Sequence, residues 1–152
     1  MQPVEIEHVP LPAIASWWPR VERALAWDVA RYSGRKGVLK AALTVGTQAL
    51  WVAPHGRFPT QLASVIITTI VPSPKRQPPV LKIELLSGRH AGTWMESAAC
   101  KLSAYAQAHG CTRITVVGRK GWRHYRSLFT LPVSWAYDEM THADPNHQQP
   151  AE

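Results

Sequence analysis

Residues 4–9 read VEIEHV, apolar and polar in strict alternation, the period of a strand with one buried face. After Ser16 the spacing becomes helical. Ser16 is placed to cap a helix through WWPRVERALAWDVARY, where Pro19 falls in the tolerant first turn and Val21, Leu25 and Val29 line one face. A second helix is predicted from Ser33 through RKGVLKAALTV, stopping at Gly46. TQALWVA, LASVIITTIV and VLKIELLS then read as three strands joined by the turns PHGRFPT and PSPKRQPP, an antiparallel meander.

From Gly88 the pattern alternates between strands and helices. Thr93 and Glu96 match a Thr-x-x-Glu capping box, and the helix they open runs to Gly110, with Trp94, Ala98, Leu102 and Tyr105 facing the sheet. RITVVG (113–118) is a buried strand, WRHYRSLF a short helix and LPVSWAY the last strand. The expected organisation is one domain over residues 1–140 and a polar tail, 141–152, that has nothing to bury and stays mobile unless a partner holds it.

Composition narrows the class. At 152 residues, 45% hydrophobic and 18% charged, the chain is long and apolar enough for a real core. Cys100 and Cys111 read as buried thiols of a reducing compartment rather than a disulfide. The start, MQPVEIEHVP, lacks the pattern of a signal peptide, and no run of about 18 apolar residues occurs, so neither secretion nor a membrane span is expected. The histidines lack metal-ligand spacing and no metal is expected. GRKG occurs at 34–37 and 118–121, but the flanks share nothing, so it is no repeat.

Charge points to a polyanion or an acidic partner. The net charge is +7, and no Asp or Glu lies between Asp28 and Glu84 or between Glu96 and Asp138. GRKGW lies at the end of a predicted central strand, where α/β folds place ligands, but it lacks the spacing of a Walker loop. It reads as a glycine-flanked corner whose rim of Arg119, Lys120, Trp122, Arg123 and Arg126 meets a partner. Of the seven tryptophans, Trp51, Trp94 and Trp135 are expected in the core, and Trp17, Trp18 and Trp122, at helix starts, are either half exposed, as interface residues are, or equally part of the core.

Taken in order, these elements resemble the GCN5-related N-acetyltransferase fold: an α+β mixed sheet with a meander, then strand-helix-strand-helix-strand, here without the final strand. GTQALWV, VLKIELLSGRHAGTW and AHGCTRITVVGRKGW further resemble small acyltransferase-like proteins encoded among the virion genes of tailed bacteriophages. The superfamily's Arg/Gln-x-x-Gly-x-Gly/Ala loop, which holds the acetyl-CoA pyrophosphate, maps onto Arg89, Gly92 and Thr93, but Trp94 stands where a tiny residue belongs and Glu96 adds like charge. By position Glu84 resembles a general base and Tyr125 a general acid; equally, Glu84 pairs with Lys82 or Arg113 and Tyr125 packs on the sheet. The resemblance implies a non-catalytic virion or assembly component of head, neck or tail, or an internal virion protein. Such a protein needs no cofactor and belongs to a multi-subunit assembly. It binds other virion proteins or DNA, and resides in the virion and, before assembly, in the host cytoplasm. The alternative is an active acetyl-CoA-dependent N-acyltransferase.

Overall fold

Seven β-branched residues in a row, Val65–Val71, fill most of Leu62–Val71, the longest strand of the sheet, and its neighbours in sequence pair on either side of it. The computed structural model describes residues 3–25, 46–55, 58, 61–118 and 120–137. The helix predicted from Ser33, Arg119, the Lys120 side chain and the tail 141–152 lie outside the described residues.

Among the described residues six strands lie in sequence order in one sheet: β1 (Glu7–Val9), β2 (Ala49–Pro54), β3 (Leu62–Val71), β4 (Val80–Gly88), β5 (Ile114–Gly118) and β6 (Val133–Tyr137). β1 to β4 pair antiparallel, which includes the predicted meander, whereas β4, β5 and β6 pair parallel. Helix α1 (Ile14–Leu25) covers one face and α2 (Ala91–Ala108) the other. Two cores result. Ile14, Trp18, Val21 and Leu25 of α1 meet Leu50, Val52, Val65, Ile67 and Leu85. Trp94, Met95, Ala98 and Leu102 of α2 meet Trp51, Ile66, Leu81, Ile83 and Val116. Each fully buried aliphatic side chain contributes about 1.5–3 kcal/mol, so these faces hold the sheet between the helices.

Several element ends differ from the sequence reading, each for a local reason. The first strand is Glu7–Val9, not 4–9, because residues 4–6 bond to α2 instead. The Val4 N–H donates to Thr93 O at 2.7 Å, the Ile6 N–H to Ser97 Oγ at 3.0 Å, and Lys101 Nζ to Ile6 O at 2.7 Å. Ser16 caps nothing: a 3-10 turn, Leu11–Ala13, set by the extended Pro10 and by Pro12, runs directly into α1, and Ser16 Oγ donates back to Ala13 O. Pro19 therefore sits inside the helix. Nor do Thr93 and Glu96 form a capping box. His90, in the left-handed conformation (φ 56°, ψ 45°), turns the chain so sharply out of β4 that α2 begins at Ala91, and the Thr93 hydroxyl donates to His90 O. Gly110, at φ +80°, ends α2 as predicted. Cys111 is buried but Cys100 faces solvent, which corrects the expectation of two buried thiols; both are free.

Candidate functional site at the β4–β5 crevice

β4 and β5 pair at only three positions, Leu81 with Ile114, Lys82 with Thr115 and Ile83 with Val116. Ile67 of β3 faces Leu85 while Thr68 faces Ile83, so Glu84 is the extra residue of a β-bulge, which bends and twists its strand. Beyond it β4 follows β3 to Gly88, β5 follows β6 to Gly118, and a crevice opens between their carboxyl ends. The sheet also changes from antiparallel to parallel here. Ligands of α/β sheets enter at such strand ends and switch points.

The crevice mouth is the turn from β4 into α2. The 18-residue α2 presents its partial positive charge there, flanked by the exposed Arg89 and His90, and the His55 ring lies edge-on to His90 at 5.4 Å. Gly92 is exposed, and a β-carbon on it would meet nothing within 4 Å, so a ligand has room to approach the first helical turn. Arg89, Gly92 and Thr93, the positions onto which the superfamily's loop maps, all lie in this turn. Glu96 is exposed on the next turn.

Trp94 does not stand on the approach side. Its indole is fully buried beneath the turn and donates Nε1–H to Arg89 O at 2.6 Å. Trp122 is buried as well, 7% exposed, which corrects its assignment as a half-exposed partner residue. The two rings lie 6.0 Å apart. Trp18 is buried too, and Trp17 lies half-buried with the Arg20 guanidinium 3.9 Å over its ring. Trp51 and Trp94 are core residues as predicted, while Trp135 is only partly buried. Of the basic rim, Arg123 and Arg126 are exposed.

At the bulge of β4, Glu84 is half-buried, and on the β3 side its Oε2 accepts hydrogen bonds from Gln48 Nε2 at 2.8 Å and Thr69 Oγ1 at 2.6 Å. Lys82 Nζ stands 3.6 Å from Oε1; of the two cations considered from sequence, this is the one the carboxylate meets. Burial alone would raise the carboxyl's pKa, but the bonds from Thr69 and Gln48 and the Lys82 charge outweigh it and hold the pKa below the ordinary value. Tyr125 lies on the 3-10 helix Lys120–Leu128 after β5, half-buried, with the His124 ring at 4.0 Å and Trp122 at 6.2 Å. Thr68 and Ile70 face the α2 core, so Thr69 and the Glu84 carboxylate lie on the α1 face, whereas Tyr125 packs against the α2 core. The two residues thus approach from opposite faces. Gln48 and Thr69, which set the state of Glu84, carry no local signal in the sequence.

No protein-family model and no curated protein matches the chain. Solved structures do. A ribosomal-protein-alanine N-acetyltransferase of Brucella melitensis biovar Abortus 2308 is similar at TM-score 0.56 and 12% identity, over 83% of this chain and 87% of its own. An aminoglycoside acetyltransferase from an uncultured soil metagenomic sample, in complex with trehalose, reaches 0.59 at 14%, over 82% and 86%. A predicted acetyltransferase of Clostridium acetobutylicum, solved with acetyl-CoA, reaches 0.57 at 13%, over 82% and 86%. The chain has the GCN5-related N-acetyltransferase fold. At these identities the likeness establishes the acetyltransferase architecture and not the reaction. Among the described residues no three His, Cys, Asp or Glu side chains group to hold a metal, and no helix is long and apolar enough to cross a membrane.

Proposed function

We propose that this protein is an acyl-CoA-dependent N-acyltransferase. The observation that carries the reading is the parting of β4 from β5 beyond Ile83 directly beneath a glycine-bearing helix N-terminus, an arrangement its acetyltransferase neighbours make meaningful. The cofactor's diphosphate fits the turn of Arg89, Gly92 and Thr93, where the cation, the helix charge and the open space above Gly92 suit an anion. When bound, it supplies an activated acyl thioester. In this reading Glu84, held ionised on one face, takes the proton an amine loses as it adds to the thioester, and the Tyr125 hydroxyl, on the other, protonates the departing sulfur.

Titration calorimetry with acetyl-CoA tests the reading: saturable binding in the micromolar range, lost in Gly92→Glu, is expected. No binding up to about 1 mM, equivalent to about −4 kcal/mol, overturns it.

A second reading is favoured by the two buried indoles at the crevice mouth: a non-catalytic component on this scaffold, as in the virion proteins its motifs resemble, with Arg123 and Arg126 facing a protein partner or DNA. Association with DNA that weakens steeply with salt and ignores sequence supports that reading, because phosphate contacts release counterions.

A further inference from the structure

Both walls of the crevice end in a glycine, and each glycine makes room for an indole. A β-carbon at Gly88, the last residue of β4, would stand 2.8 Å from Cζ2 of Trp94; one at Gly118, the last of β5, would stand 3.3 Å from Cδ1 of Trp122. With the rings 6.0 Å apart and tilted by 54°, Gly88, Trp94, Trp122 and Gly118 form a continuous bridge across the mouth from one strand to the other. A methylene chain lying between two rings needs a contact distance of about 3.5–4.0 Å on each side, or about 7–8 Å in all. The 6.0 Å spacing is too small.

The two indoles are held differently. Trp94 belongs to an 18-residue α-helix, is fully buried and is tied by its N–H to Arg89 O. Trp122 rides on a nine-residue 3-10 helix, Lys120–Leu128. Because 3-10 hydrogen bonds are poorly aligned and the side chains eclipse, runs beyond about 3–4 residues are uncommon. This is the part of the wall with a better helical form available to it. We propose that Trp122 is the gate of the crevice: it closes the mouth against the fixed Trp94, and rewinding of residues 120–128 carries it aside when a narrow arm, anchored by its phosphates at the N-terminus of α2, enters. The inference rests on the acyl-CoA reading and names the residue that decides what passes beyond the anchoring turn.

The consequence is a difference between ligands with and without the arm. Adenosine 3′-phosphate 5′-diphosphate, the cofactor lacking its arm, engages only the turn, whereas the apparent affinity for acetyl-CoA is reduced by the fraction of time the gate is shut. Trp122→Ala should therefore tighten acetyl-CoA by about tenfold or more while leaving the armless nucleotide within about twofold. On the unaltered protein, acetyl-CoA but not the armless nucleotide should change amide exchange across residues 120–128, a measurement that decides the matter even if the variant fails to fold. Acetyl-CoA binding with unchanged exchange in that segment, or equal effects of Trp122→Ala on both ligands, overturns the gate and leaves the acyl-CoA reading standing. If neither nucleotide binds the unaltered protein or the variant, the acyl-CoA reading fails and the gate with it.

Discussion

Gly88 and Trp94 compete for one space: a β-carbon on the glycine would stand 2.8 Å from the Trp94 ring and also 2.5 Å from Ala63 O and 2.9 Å from Ser64 Cα. Two of those three neighbours are backbone of the adjacent strand, which cannot turn away as a side chain can. Gly88→Ala should destabilise the protein by about 3 kcal/mol, at or above the upper end of ordinary overpacking. Trimming the ring with Trp94→Leu should not restore it, because the clash with β3 persists. Denaturant unfolding of the single and double variants checks this; a fully rescued double variant would place the conflict in the ring alone.

Gly92, four residues on, should behave in the opposite way. It lies in the first turn of α2, and a β-carbon there would have nothing within 4 Å, so Gly92→Ala loses no contact and gains helix propensity. A melting point unchanged or raised, by up to about 1 kcal/mol of stability, is expected. The same pair of variants separates the two glycines of one motif, one required by packing and the other left open on the ligand side.

The strap of residues 4–6 across α2 gives a third expectation. Ser97 Oγ accepts the Ile6 N–H at 3.0 Å and donates to Glu5 Oε1 at 3.3 Å, and Lys101 Nζ stands 3.1 Å from the same carboxylate oxygen. Glu5 is largely exposed, so its ion pair contributes little. The Ile6 N–H, beside a fully buried side chain, is the costly group to leave unpaired. Ser97→Ala should cost about 1–2 kcal/mol and Glu5→Gln less than about 0.5 kcal/mol, measured by urea denaturation.

What the sequence disclosed follows from the range of the forces involved. LASVIITTIV reads as a strand because its propensity and its bounding turns are local, and β3 is Leu62–Val71 as expected; the meander, the fold class and the Gly110 stop are of the same kind. The errors lie where a distant partner overrides a local pattern. Residues 4–6 alternate like a strand, yet Ser97 and Lys101, more than 90 positions away, take their backbone groups. Thr93 and Glu96 have capping-box spacing, but the left-handed His90 starts the helix earlier. Trp122 looks like an interface residue beside arginines until the proximity of Gly118 and Trp94 shows where its ring lies. Around the candidate site, Arg89, Gly92 and Thr93 stand out in the sequence through the resemblance, whereas the hold of Gln48 and Thr69 on Glu84 depends on pairing between strands.

That hold makes Glu84 testable by pH. Its folded-state pKa is depressed, so the folded protein binds the proton less readily than the unfolded chain does. The stability it contributes is therefore fully present above the unfolded value, near about 4.3, and is lost as pH falls through the lower folded value. Glu84→Gln keeps an oxygen for Thr69 or Gln48 but removes the charge that Lys82 meets. The stability gap between the two proteins should stay constant from about pH 6 to 8 and close progressively below about pH 4. A gap that instead widens on acidification would mean the carboxyl is protonated in the folded protein. The same variant separates structure from catalysis: if Glu84 takes the proton from the acceptor amine, kcat falls by about 10²-fold or more while acetyl-CoA affinity at the Arg89 turn is unchanged. Equal loss of both would make Glu84 a brace for the bulge between β3 and β4 and no more.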